Sequence, residues 1–268
     1  MSALGTFARR FFSAPATASA LTKRKRFYKN VLVVDEKVND KQIYKVALDN
    51  RILKTQAGQV LQLESKPLAL AIAQEWASQE EFLRLGQLRL TGLAFTAQDN
   101  PLEQTTDSIC KKILEYVEGD TILFWNPENE KLHRYQTELW RPLIGNINKD
   151  LNLRIKASES ILDCDVVSEN DRFKLDKWIR QHNFPSLIAL QYATESVKSF
   201  LITYNALGFH IDAEQAVKAA TLEQQTQAET WGNVEWAHDV ERAELLSRLS
   251  SAALFFYYNS NRLTQKLE

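Results

Sequence analysis

The sequence predicts an α+β fold, with a small antiparallel sheet and a packed helix first and a compact bundle of helices after it. Two observations carry this. The apolar period is two over residues 27–63 and changes to threes and fours from Ser65 onward. The helical segments beyond Leu90 are also joined by short links, which favours a bundle. A chain of 268 residues with 44% hydrophobic content is long enough to bury a sizeable core, as one large domain or two ordinary ones.

Residues 31–34 are apolar and β-branched, and Tyr44, Val46 and Leu48 alternate with Lys45 and Ala47. Asp49-Asn50 tolerates the positive φ of a two-residue hairpin turn, so residues 51–55 are expected to pair back. Ala57-Gly58 makes a further turn, and residues 60–63 are expected as a fourth strand. Ser65 is then an N-cap candidate with Pro67 in the first turn. Leu68, Ile72 and Trp76 fall on one face of a helix reaching about Gln79. That face is expected to form a core with the sheet, with Trp76, Leu68 and Ile72 inside.

Thr106 or Asp107 is expected to cap a helix that ends at Gly119, and residues 128–151 repeat apolar positions at helical spacing. Residues 153–156 read as one short strand. Ser168 opens a helix to about His182, and Pro185 opens another that runs on through Leu201 and Tyr204. Asp212 and Gln215 form a capping-box pattern, Gly232 a helix stop and Asn233 the next N-cap. The last helix places Val240, Ala243, Leu246, Leu249, Ala253 and Phe256 on one face.

The sequence carries little that points to catalysis. No two of the eight glycines are closer than six residues, which excludes both GxGxxG and GxxxxGK phosphate loops. His133, His182, His210 and His238 are isolated, and Cys110 and Cys164 are 54 positions apart, so no metal-ligand or disulfide framework is written in the spacing. No cofactor is expected. The densest cluster is Trp231-Gly232-Asn233-Val234-Glu235-Trp236-Ala237-His238-Asp239. On a helix Glu235 and Asp239 share a face, while His238 points about 100° away from Asp239, a poor arrangement for a base and its orienting carboxylate. Three uses of the cluster remain open: carboxylates complementing a helix dipole, partner binding through Glu235, Trp236, Asp239 and Trp231, and a hydrolase or lyase using Glu235, His238 and Asp239.

The N-terminal stretch is acid-free before Asp35 and holds Arg9, Arg10, Lys23, Arg24, Lys25 and Arg26 among Ser, Ala, Leu and Phe. Leu4, Phe7, Ala8 and Phe11 are at helical spacing, and Arg10-Phe11-Phe12-Ser13 resembles a matrix-protease site. Residues 1–26 therefore read as a mitochondrial transit peptide. Removing them takes six positive charges from a formal −1 and leaves −7, an unsuitable charge for binding nucleic acid. No apolar run approaches the roughly 18 residues needed to cross a bilayer, so no membrane insertion is expected.

Several segments follow one another in a recognisable order: Arg26-Phe27-Tyr28-Lys29, Leu48-Asp49 through Arg51 to Thr55, Leu68-Ala69 through Glu75-Trp76 with Gln79, Leu90-Thr91 through Thr96-Ala97 with Asp99, and the 231–239 cluster. Together they resemble the mitochondrial ATP synthase assembly factor 2 family. The resemblance implies a non-enzymatic matrix chaperone that holds the free alpha subunit of the catalytic head until a beta subunit replaces it. A small stabilising helper protein is a further implied partner. The implied architecture is an N-terminal α+β domain, residues 27–105, and a C-terminal orthogonal helical bundle, residues 106–268. Gln56, Glu64, Arg89, Gly119 and Lys198 depart from the family pattern, Lys198 standing where a glycine is usual.

Overall fold

The computed structural model describes residues 24–160, 166–232 and 237–260. Its sheet has the order β1 (Val31–Val38), β2 (Lys41–Leu48), β3 (Arg51–Ile52), all antiparallel, with Val33 opposite Val46 and Asp35 opposite Tyr44. The β1–β2 turn is Asn39-Asp40, both at positive φ, which suits residues that tolerate the left-handed region. At the next turn Asp49 has φ 51°, and its carboxylate accepts the N–H groups of Asn30 at 2.8 Å and Lys29 at 3.1 Å. Those bonds, the one from Asn30 first, hold its carboxyl below the usual carboxylate range.

The expected fourth strand is absent among the described residues. Residues 60–63 make only isolated bridges, Lys54 with Val60 and Tyr44 with Leu63. The reason is that β3 parts from β2 after Leu53, whose N–H still reaches Val46 O at 2.8 Å. Leu63 then takes the place beside Tyr44 that a longer β3 would have held.

Helix α1 (Lys66–Ala77) lies across β1 and β2 and buries Leu68, Ala69, Ile72 and Trp76. Ser65 caps it by accepting Leu68 N–H. Residues 24–26, assigned to the leader from the sequence, are tied into this layer. Arg26 N–H donates to Glu81 O, Leu83 N–H donates to Arg24 O, and the Arg26 guanidinium donates to Tyr28 O and Lys29 O.

Among the described residues nine further α-helices follow: α2 (Arg89–Asp99), α3 (Thr106–Glu118), α4 (Glu130–Leu151), α5 (Glu169–Arg180), α6 (Phe184–Val197), α7 (Phe200–Leu207), α8 (Ala213–Ala220), α9 (Leu222–Trp231) and α10 (Ala237–Asn259). The α3 cap is Thr105, in a capping box with Ser108, rather than Thr106 or Asp107. Residues 153–156 form no strand, because Asn148 serves Ile155 as a neighbouring strand would: its Oδ1 accepts Ile155 N–H and its Nδ2 donates to Ile155 O. The helix expected to run from Pro185 through Tyr204 breaks at Lys198, φ 59°, and Ser199 caps α7. The helix opened by the Asp212 and Gln215 capping box divides at Thr221. On α10 the buried residues are Leu249, Ala252, Phe255 and Phe256, whereas Val240 and Ala243 are exposed. Of the expected face only Leu249 and Phe256 are buried, Leu246 and Ala253 are half-buried, and its N-terminal part is open to solvent.

Helix α6 is buried on nearly every side and packs against α10, α3, α2 and α7. That is the reason it lacks a one-sided apolar stripe. One contiguous cluster of buried side chains runs from Tyr28 and Val46 to Phe256. Trp140 is inside it, donating to Ala219 O at 2.9 Å, and Trp178 packs against His182 and Tyr204. Cys110 is buried, which pushes its thiol pKa up. Cys164 lies outside the described residues.

Two carboxylates hold helix starts. Helix α2 has no side-chain cap of its own, and Glu75 supplies one, accepting Leu90 N–H at 2.7 Å, Thr91 N–H at 2.9 Å and Thr91 Oγ1–H at 2.7 Å. Burial pushes its pKa up, and the hydrogen bonds oppose that rise. Asp120 is fully buried at the start of α7, with Leu201 N–H on Oδ2 at 2.9 Å and Ile122 N–H on Oδ1 at 3.3 Å. Burial pushes its pKa up to about 6 despite these bonds.

Replacing Glu75 by Ala leaves α2 donors unpartnered, and should cost about 2–3 kcal/mol. A urea titration should show a lower midpoint with an unchanged slope. The pH dependence at Asp120 has a definite sign. A carboxyl raised in the folded state binds its proton more tightly there than in the unfolded chain, so its stabilising contribution is full below about pH 4 and is lost as pH rises through about 6. The stability of the parent relative to Asp120→Asn should therefore fall by about 2 kcal/mol between pH 4 and pH 7. An equal difference at the two pH values would remove the assignment of this titration to Asp120.

Candidate functional site at the α9–α10 corner

Helix α9 begins at the Thr221 break and ends at Gly232, whose φ of 91° is open to glycine and strained for other residues. The corner is held from beneath. Glu229 on α9 pairs with Lys131 on α4, and Glu223 Oε1 accepts from the buried Gln136 Nε2 at 3.3 Å. The Trp140 indole N–H fastens the end of α8 through Ala219 O. These contacts fix α9 on α4 while its last residue projects outward. Trp231 is 81% exposed, the most exposed large hydrophobic residue described.

The start of α10 faces α9. Between them is a small cavity lined on one side by Gln224, Gln225 and Ala228, and on the other by His238, Asp239 and Arg242. Asp239 is exposed in the first turn of α10, where a carboxylate complements the helix dipole. Val240, next to it, is 63% exposed. Among the described residues Asp239 has no ion-pair partner, and His238 makes no hydrogen bond to it. The geometry expected of a base and its orienting carboxylate is not formed. No group of three or more His, Cys, Asp or Glu able to hold a metal occurs among the described residues.

Of the residues singled out from the sequence, the corner brings Trp231, His238 and Asp239 to the ends of two adjoining helices. Glu235 and Trp236, with the expected Asn233 cap, lie outside the described residues. The Leu68, Ile72 and Trp76 group sits apart, under the sheet, where Trp76 donates its indole N–H to Thr91 Oγ1 at 3.1 Å and accepts Tyr28 O–H on its carbonyl at 2.7 Å. Sequence reasoning missed the supports of the corner, Gln136, Glu223 and the Lys131–Glu229 pair. They come from segments about 90 residues apart, and no local pattern announces such a contact.

Comparison with known proteins gives this architecture a place. Residues 25–148 match the family model described as ATP12 chaperone protein. The fungal protein named Protein atp12, mitochondrial, from Schizosaccharomyces pombe is 27% identical over 242 residues, covering 86% of this chain and 81% of its own. On these matches the chain resembles the ATP12 chaperone family. Protein ATP12, mitochondrial, from Saccharomyces cerevisiae is 26% identical over 252 residues, 77% of this chain and 76% of that protein. A mutant form of Paracoccus denitrificans Atp12p has the same fold, with a TM-score of 0.77 at 25% identity over 88% of this chain and 98% of that one.

The ATP12 family is one of chaperones, not enzymes, and the fungal relatives are named as mitochondrial. The antiparallel sheet followed by helices is the Atp12 fold. No described helix is long and apolar enough to cross a membrane.

Proposed function

We propose that this protein is an assembly chaperone of the mitochondrial matrix that binds the free alpha subunit of the ATP synthase catalytic head. It keeps that subunit from aggregating and yields it to the beta subunit. A subunit destined for a ring carries apolar interfaces that are uncovered before assembly, and such patches aggregate. A partner that covers the patch less tightly than the final neighbour delays aggregation without blocking assembly. A small helper protein that stabilises the chaperone is compatible with this scheme.

The observation that supports client binding at the α9–α10 corner is the exposure of Trp231 at the end of α9 and of Asp239, which has no ion-pair partner among the described residues, in the first turn of α10. An exposed indole and an exposed carboxylate at the ends of these two helices suit a client surface carrying an Arg or Lys beside apolar side chains. Glu235 and Trp236 belong to the same proposed contact through their place in the sequence. Nucleic acid is not a partner in this reading, and catalysis has no part in it.

The test uses isolated alpha subunit diluted from denaturant, with light scattering as the readout. The protein should suppress scattering equally with and without ATP, since it carries no phosphate loop. Suppression that required ATP, with the client's own nucleotide site disabled, would contradict this. The double change Trp231→Ala, Asp239→Asn should weaken capture about tenfold or more, as removal of a hot-spot aromatic does. Its salt dependence should fall as well. The melting temperature should stay within a few degrees of the parent, because both side chains are exposed. Unchanged capture at every salt concentration would return the corner to a structural role.

A further inference from the structure

We propose that the groove between α2 and α6 is a second binding site, which takes an extended apolar segment of a partner protein carrying one Lys or Arg. A cavity of about 560 Å³ lies there, within the range that holds a peptide side chain or small ligand. Its apolar wall includes Leu93, Phe95 and Ile188, and its rim carries Leu85 and Leu102, exposed by 67% and 76%.

Two features point to what occupies it. The first is electrostatic. Asp99 lines the groove at the end of α2, and its Oδ2 accepts Ala57 N–H at 3.0 Å. Its Oδ1 is buried and has no hydrogen-bond partner, and no cation among the described residues pairs with it. The other charges of the lining are already matched: Arg89 pairs with Glu244, and Glu195 with Lys112. Asp99 is thus the uncompensated charge of the groove, and a buried acceptor of that kind is costly unless something donates to it. At the opposite end, Arg89 Nε is buried with an unused donor, which suits a carbonyl oxygen. The two residues are ten positions apart on one helix, about 15 Å at 1.5 Å per residue. Four or five residues of extended chain cover that span at ~3.3 Å each.

The second feature is Gly92, in the middle of α2 and lining the same groove. Glycine weakens a helix interior, and a Cβ added at Gly92 would meet nothing within 4 Å among the described residues. No packing among the described residues accounts for it. A helix surface bared of its side chain lets another backbone approach closely, and an extended segment lying along α2 would use that space.

The site does not depend on which client the α9–α10 corner binds, and its test contains no ATP synthase subunit, so either proposal can fail alone. The probe is a pool of capped heptapeptides with Leu, Ile, Val or Phe around a central Lys. A second pool has Glu at the centre, and equilibrium dialysis against the full chain measures retention. The Lys pool should be retained at least tenfold more than the Glu pool. Asp99→Asn, which preserves an oxygen for Ala57 N–H, should bring that ratio close to one. Gly92→Leu should abolish retention while melting no lower than the parent. If Gly92→Leu failed to fold, Leu102→Ser at the exposed rim, which removes an apolar contact without adding a charge, should lower retention of the Lys pool several-fold. Absence of retention of the Lys pool, equal retention of both pools by the parent, or unchanged retention in these variants would overturn the proposal. Self-association lost on Gly92→Leu would overturn it too, by assigning the groove to a second copy of the chain.

Discussion

The Glu75 carboxylate seated on the start of α2 is the interaction on which most of the architecture depends. Helix α2 starts at a residue that offers no side-chain cap, so its first N–H groups need acceptors from elsewhere. Glu75 supplies both oxygens, and its neighbour Trp76 reaches the same Thr91 hydroxyl through the indole N–H. Consecutive residues of α1 thus clamp α2, one from the polar and one from the apolar side. Burying the carboxylate is unfavourable, which is why its pKa rises. The N-terminal pole of a helix, with three donors aimed at the group, offsets much of that cost.

What this clamp positions is the junction between the sheet layer and the later helices. Helix α2 touches α1 on one side and α6 and α10 on the other, and Arg89 at its start pairs with Glu244 on α10. Asp120 repeats the device deeper in the molecule, where a carboxylate from the link after α3 receives the first donors of α7. In both places a helix is started by an acid that is distant in sequence. The direction of α10, and so the placement of Asp239 opposite α9, follows from packing that these starts hold in register.

The exposed groups have a different logic. The core closes as one cluster without Trp231, Val240, Leu85 or Leu102, so none of these is needed for burial. Large apolar side chains left outside a complete core are free to meet partners, and the α9–α10 corner and the rim of the α2–α6 groove are two of the places where they occur. In the proposed role, a chaperone that releases its client has reason to use several modest contacts, since each can be displaced in turn by the client's permanent neighbour.

The sequence by itself determined what depends on neighbours along the chain. The change of period at Ser65, the caps at Ser65, Ser168 and Asp212, the stops at Gly119 and Gly232, and the apolar face of α1 are all set within one or two turns of backbone. The resemblance to a chaperone family was legible too, because it rests on ordered local motifs. Tertiary structure decided the rest. Residues 60–63 stay out of a strand because β2 offers pairing room only where β3 has left it. The helix from Pro185 breaks at Lys198, although lysine is a poor left-handed residue, because Ser199 and Asp120 together start α7 there. The roles of Glu75 and Asp99, both visible as members of motifs, depended on groups 15 and 42 residues away. A carboxylate in a sequence reads as a solvated charge, and only the fold shows whether it caps a helix, lines a groove or faces water.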